Sequence, residues 1–343
     1  MIDQLEMIVP DDWHVHLRDG ETLNQVIPNT VKTFRRAVVM PNLRIPIATM
    51  AAARAYRNRI LSACPSRTRF TPLMTAYLTD DISTEELKRG FQEGVFTAAK
   101  LYPANATTNS AAGVTDVKHI HSALVAMERI GMPLLIHGEV TDISVDVFDR
   151  EAVFIERLLK PLRQRYPDLR MVLEHITTEQ AVDFVGSADQ NLAATITPHH
   201  LHINRNAMFA GGLLSDFYCL PVAKREQHRL ALRRAATSGD RRFFLGTDSA
   251  PHVRSAKETS CGCAGIFNAP YALESYALAF DQEGKLDRLE AFASLHGPAF
   301  YGLPVNEERI ILQRDKQLVP DLVNGFVPFH AGETLPWRLQ PRV

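Results

Sequence analysis

Cysteine is scarce in this chain: Cys64, Cys219, Cys261 and Cys263 are the four among 343 residues. Four scattered thiols cannot build the framework of a disulfide-rich secreted domain, and they point to a reducing, cytoplasmic setting. An excess of one charge is also missing. With 38 Lys and Arg against 39 Asp and Glu, the net charge of -1 gives no global field for nucleic acid or an anionic membrane, so a charged ligand must be met by local groups. No apolar run approaches the length of a membrane span, and the opening Met1-Ile2-Asp3-Gln4-Leu5-Glu6 has no basic region ahead of an apolar one, so neither an anchor nor a secretory signal is expected. Cys261-Gly262-Cys263 lacks the second pair that a structural zinc knuckle needs, which leaves loop thiols in a tight turn.

What is present is an ordinary globular composition, 45% hydrophobic and 22% charged, enough to bury a core. Short β-rich runs are expected at 8–16, 37–40, 70–78, 95–102, 134–137, 170–175, 192–196 and 242–246. Helical patterns follow them at 22–34, 49–62, 84–93, 114–130, 150–165, 178–185, 222–237 and 269–280. Ser83 or Thr84 ahead of Glu85 and Glu86, and Thr177 or Thr178 ahead of Glu179, read as helix starts; Gly131 and Gly239 read as stops. Eight strand and helix alternations with no linker predict an α/β TIM (β/α)8 barrel with long βα loops and a short C-terminal extension. The chain is read as one domain over 1–343, with the barrel core over about 8–285 and the extension over 286–343 on the barrel exterior. Only about eight residues precede the first strand, so no appended N-terminal sheet is expected. The stretch 103–113 is small, polar and turn-rich, the composition of a mobile loop.

In such a barrel, chemistry sits at the C-terminal strand ends, and the polar residues collect there. His14 and His16 stand one residue apart near the end of the first strand, so both side chains face one side, with Arg18 next in phase. Lys100 falls near the end of the fourth strand, His137 ends the fifth, His175 the sixth, and Asp248 follows the eighth. Histidine and carboxylate ligands suit Zn²⁺, and two such ions can activate water for hydrolysis at neutral pH. Lys100 cannot bridge two cations as an ammonium; carboxylated by CO₂ it becomes a carbamate anion that can.

The chain resembles the amidohydrolase superfamily and, within it, the bacterial dihydroorotases of the PyrC type. The motifs that carry the resemblance run in order from residue 12 to 265: Asp12-Trp13-His14-Val15-His16-Leu17-Arg18-Asp19, Met40-Pro41-Asn42, the stretch from Lys100 to Asn109, His137-Gly138-Glu139, Glu174-His175-Ile176-Thr177-Thr178, the stretch from Gly246 to His252, and Cys261-Gly262-Cys263-Ala264-Gly265. The resemblance implies reversible cyclisation of N-carbamoyl-L-aspartate to L-dihydroorotate and water, the third step of pyrimidine (UMP) synthesis. It implies two Zn²⁺ per subunit, one on His14, His16 and Asp248, the other on His137 and His175, bridged by N6-carboxylated Lys100 and a hydroxide. It also implies Asp248 as the catalytic proton carrier, Arg18, Asn42 and His252 as binders of the substrate carboxylate, backbone help from Leu220 and Ala264, Thr107 and Thr108 on a flexible lid, and a homodimer. Charge agrees: two zinc ions against carbamate, Asp248 and hydroxide leave about +1 for an anionic substrate.

Blander readings stand beside several of these. Asp248 can be a helix cap, Arg18 a surface ion pair, Asn42 a turn residue and Thr107-Thr108 ordinary surface. His119-Ile120-His121 repeats the opening spacing in an expected helix, where positions i and i+2 diverge, so no metal is expected there. His199, His200 and His202 follow the seventh strand and read as pocket or surface histidines, with a supporting role open to His200. The rival functions are a dihydropyrimidinase or hydantoinase type of cyclic amidase, whose substrates lack the ring carboxylate, and a catalytically inactive scaffold, which would show lost ligands.

Overall fold

The computed structural model describes residues 2–341. Its centre is one eight-stranded parallel sheet, β2 (Asp12–Val15), β3 (Arg36–Val39), β4 (Thr71–Tyr77), β5 (Ala98–Leu101), β6 (Leu134–Ile136), β7 (Met171–Leu173), β8 (Leu192–Ile196) and β9 (Phe243–Leu245), paired in chain order. The ends of the sheet meet: Asp248 N–H donates to His14 O at 2.8 Å and His16 N–H to Ser249 O at 3.1 Å. A helix follows each strand, beginning with Gly20–Thr33 and ending with Ala272–Gln282. The expected TIM barrel is what forms, and each of its eight strands overlaps an expected run.

Period-two alternation sorts the strands from β3 to β9. Ala37 and Val39, Ala99 and Leu101, Leu134 and Ile136, Met171 and Leu173 face the helices, while Val38, Ala98, Leu135, Val172, Ala193 and Phe244 make an apolar layer inside the barrel with Trp13. Tyr301 closes that layer from one end, its ring stacked on Trp13 at 4.4 Å and 10°. Gly297 lies against the Trp13 indole so closely that a Cβ there would fall 1.9 Å from Nε1, so only glycine fits.

Two expectations change. The run 8–16 is not one strand: β1 (Gln4–Ile8) leaves the barrel to pair antiparallel with β10 (Arg309–Gln313), which also pairs with β13 (Arg338–Leu339), while β11 (Gln317–Leu318) pairs with β12 (Thr334–Leu335). A small sheet built from both ends of the chain therefore exists where none was expected. Pro10, with no N–H to give to a ladder, stands between the two strands. The helix expected over 114–130 starts only at His121. Asp116 accepts from Lys118 N–H at 2.9 Å, a local turn that competes with the helix, so His119 sits before it and pairs with Asp80 at 3.2 Å. Ser83 and Thr178 do cap their helices, and Gly131 ends one in the left-handed conformation. No helix among the described residues is long and apolar enough to cross a membrane.

Candidate active site

Two residues beyond the apolar interior layer, the same inward phase turns polar. Ala98 leads to Lys100, Leu135 to His137, Val172 to Glu174 and Ala193 to Thr195, all buried. His14 joins them through a bulge: Asp12 pairs with Ala37 but Val15 with Val39, so β2 carries one extra residue and both Trp13 and His14 turn inward. Gly246 lets Thr195 and His14 close in on the strand, since a Cβ there would lie 2.7 Å from that of Thr195 and 3.2 Å from that of His14. Arg18, His175 and Asp248 each take a left-handed φ, of 58°, 43° and 45°, which for non-glycine residues costs of order 1 kcal/mol and aims the strand ends into the mouth.

One cavity collects the expected residues. His14, His16, Arg18, Asn42, Thr107, Thr108, His137, His175, Leu220, Asp248 and Ala264 line it, together with Tyr102. Lys100 lies fully buried on the same inward face, and His252 stands beside Arg18, its Nε2 2.8 Å from the Arg18 guanidinium.

The donor set fits a metal. His14 Nε2 is 3.3 Å from His16 Nε2 and 3.3 Å from Asp248 Oδ1, and His16 Nε2 is 3.1 Å from the same oxygen. Four ligands about 2.0–2.1 Å from a tetrahedral Zn²⁺ are separated by about 3.3–3.4 Å, so the three atoms stand as neighbouring corners would. The rings of His175 and His14 lie 4.9 Å apart and those of His175 and His137 5.0 Å apart. Burial pushes His14 below its ordinary value, His16 down to about 4 and His175 far down, which keeps these rings in the neutral form that ligates. Burial alone would raise Asp248, but His14, with His16 and His175, outweighs it and holds the carboxylate well below its usual range. Burial also pulls the Lys100 amine far below the usual lysine range.

The same cavity also holds a cation, Arg18. Arg18 donates from Nε to Pro251 O at 3.2 Å, makes no ion pair among the described residues, and has a fork suited to a carboxylate. Burial, then the charge of Arg18, pushes His252 down to about 3, so its neutral ring accepts from Arg18 at Nε2. Asn42 Nδ2 donates to Thr108 O at 3.0 Å, and Asn109 Nδ2 returns to Asn42 O at 3.0 Å, docking the 103–113 loop over the cavity.

Three carboxylates that sequence reasoning quoted within motifs, without a role, hold the histidines. Glu174 places Oε1 3.0 Å from His14 Nδ1, a close charge contact rather than an aligned hydrogen bond, and Oε2 against Lys100 Nζ. Glu139 meets His137 Nε2 at 2.9 Å, and Asp12 accepts from His14 N–H at 3.1 Å and from the Thr247 hydroxyl at 2.5 Å. The available signal is that each lies within two residues of a proposed ligand. Glu174 also forms a metal-compatible group with His14 and His175, but it faces Nδ1 of His14 whereas His16 and Asp248 face Nε2. Among the remaining histidines, His200 bonds the Thr197 hydroxyl at 2.8 Å and Pro221 O at 3.1 Å, and His202 donates to Ser275 O at 2.8 Å. His199, His200 and Cys219 form a third metal-compatible group, whereas Cys261 and Cys263 belong to none among the described residues.

Comparison with known proteins gives the family. The model of the amidohydrolase family matches residues 8–310. A dihydroorotase of Synechococcus sp. (strain CC9902) is 80% identical over 341 residues, 99% of each chain. The crystal structure of dihydroorotase from Campylobacter jejuni superposes with a TM-score of 0.90 at 35% identity, covering 98% of both chains. The structure of the Saccharomyces cerevisiae dihydroorotase in complex with 5-fluoroorotic acid gives 0.91 at 31% identity over the full length of both. With such identity spanning both chains end to end, this chain belongs to the amidohydrolase family and, within it, to the dihydroorotases.

Proposed function

We propose that this chain interconverts N-carbamoyl-L-aspartate and L-dihydroorotate, the ring-closing third step of pyrimidine synthesis. The observation that carries this reading is one cavity lined both by a metal-ligand triad and by an arginine without an ion pair. His14, His16 and Asp248 would hold one Zn²⁺, His137 and His175 a second, with carboxylated Lys100 between them. Divalent ions held there supply Lewis acidity, lowering the pKa of water and polarising an amide carbonyl.

The chain's own residues do the rest. Lys100, buried and biased toward the neutral amine, has the lone pair that adds to CO₂, and one of its two N–H protons is released to solvent as the carbamate forms; the other N–H can stay on Glu174. In hydrolysis, Asp248 takes the proton from the attacking water and returns it to the departing ring nitrogen; in synthesis it runs the same transfer backwards. Arg18, Asn42 and His252 orient the ring carboxylate, with the backbone of Leu220 and Ala264 beside them. Thr107 and Thr108 close the cavity and exclude water. The contacts that tie β1 to β10 join both chain ends to one body, which supports a single domain over 1–343. A cytoplasmic homodimer completes the reading, and light scattering in solution tests the dimer.

The test compares L-dihydroorotate with dihydrouracil, the same ring without the carboxylate. Turnover of dihydroorotate with little on dihydrouracil is expected. Preferential turnover of dihydrouracil would replace the reading with a dihydropyrimidinase-type amidase.

A further inference from the structure

Lys257 is a buried cation that the reading above leaves unused. Its Nζ reaches three backbone carbonyls, Gly265 O at 2.6 Å, Tyr218 O at 3.2 Å and Cys263 O at 3.2 Å. A neutral amine has two hydrogens and a lone pair, so three oxygen acceptors require the ammonium. Burial pulls Lys257 below the usual lysine range, Asp216 opposes this only from longer range and no ion pair forms among the described residues, so the three carbonyls are what hold the ammonium. Burying a charge without a paired counter-ion costs several kcal/mol in general, so its retention calls for a function.

The carbonyls it holds belong to the two loops that line the cavity at Leu220, Ala264 and Gly265. Those loops are also tied to each other, Gly265 N–H donating to Tyr218 O at 2.9 Å. The Cys263 carbonyl and the Ala264 N–H share one planar trans peptide and point in opposite directions, so an ammonium gripping the carbonyl turns the N–H away from itself and polarises it. Neither the Ala264 N–H nor the Leu220 N–H has an acceptor among the described residues. Gly265 lets the loop pass: its φ is +151°, and a Cβ there would lie 2.3 Å from Ala250 O. The open Ala264 N–H, Arg18 without an ion pair and a second cation behind them together describe a receptor for one carboxylate.

We propose that Lys257 is a positioning and specificity-determining residue: its ammonium fixes the 263–265 loop against the 218–220 loop so that the free Ala264 N–H meets the ring carboxylate, and it adds positive charge to that subsite. This rests on the functional reading above. The test uses metal-loaded full-length protein, with Lys257→Met and Lys257→Arg. Measured are KM and kcat for dihydroorotate, calorimetric affinities for orotate and uracil, metal content and melting temperature. In Lys257→Met, KM and the orotate dissociation constant rise about tenfold or more, kcat falls less, and metal content and uracil affinity hold. Lys257→Arg, which keeps the charge but not the compact three-way donor, recovers part of the loss. Unchanged orotate affinity in folded Lys257→Met, or an equal loss for uracil, overturns the proposal. Should Lys257→Met not fold, Lys257→Arg decides: raised KM with intact metal supports the proposal, and wild-type KM overturns it. Failure of the wild-type protein to turn over dihydroorotate would defeat the functional reading itself, whereas wild-type turnover with an indifferent Lys257→Met defeats this proposal alone.

Discussion

Glu174 Oε1 lies 3.0 Å from His14 Nδ1, which leaves Nε2 of the same ring to face His16 and Asp248. A carboxylate behind a ligating imidazole fixes its tautomer and orientation, and losing such a partner typically costs about 10–100-fold in metal affinity. Glu174→Ala is expected to weaken metal binding by that order, and Glu174→Gln, which keeps the side chain's size without its charge, to recover part of it. Competition against a chelator of known affinity measures both.

Removing the Arg18 fork is expected to weaken carboxylate binding by about 1.5–3 kcal/mol, or roughly 10–150-fold in KM. Arg18→Met should show this with metal content unchanged. Arg18→Lys should restore only part, because a point charge does not reproduce two parallel N–H donors. Steady-state kinetics on dihydroorotate, with metal analysis of the same samples, checks both variants.

The loop over the cavity is held by Asn42 on Thr108 O and by Asn109 on Asn42 O. Deleting Thr107 and Thr108 is expected to lower turnover by about tenfold or more through lost alignment, while metal content stays that of the wild type. Unchanged kinetics would remove the lid from the reading.

How much of this was legible in the sequence varies with how local the cause is. The eight strands were legible because a two-residue period in short apolar runs is a local signal, and Lys100 and His137 stand in the inward phase that Ala98 and Leu135 begin. The bulge that turns both Trp13 and His14 inward is a mismatch of β2 against β3, and neither strand carries it alone. The pairing of Gln4–Ile8 with Arg309–Gln313 spans almost the whole chain, so nothing near residue 4 announces it. Glu174 lay in plain view within a motif, but its two partners, His14 and Lys100, come from other strands. Lys257 carries no motif at all; only the folded loops reveal the three carbonyls around it.

Burial also predicts a pH dependence of stability. His202, whose ring donates to Ser275 O, is pushed down to about 3 first by burial and then by His330. An unfolded histidine titrates near 6.5, so between about 6.5 and 3 the unfolded chain binds a proton that the folded chain does not. Its contribution is complete above about pH 6.5 and is lost progressively as pH falls toward 3, at up to about 1.4 kcal/mol per pH unit. His202→Gln is expected to flatten the pH dependence of stability by up to one proton across that window. Urea unfolding of wild type and variant between pH 7.5 and 5 measures the difference, and identical slopes would contradict it.

The most direct test of the proposed chemistry is metal content per chain, measured with bicarbonate present, alongside dihydroorotate hydrolysis for the wild type and Lys100→Ala. Two zinc ions and activity in the wild type, with both the two-metal occupancy and the activity lost in Lys100→Ala, are expected. Full activity with two bound metals in Lys100→Ala would contradict the carbamate-bridged centre.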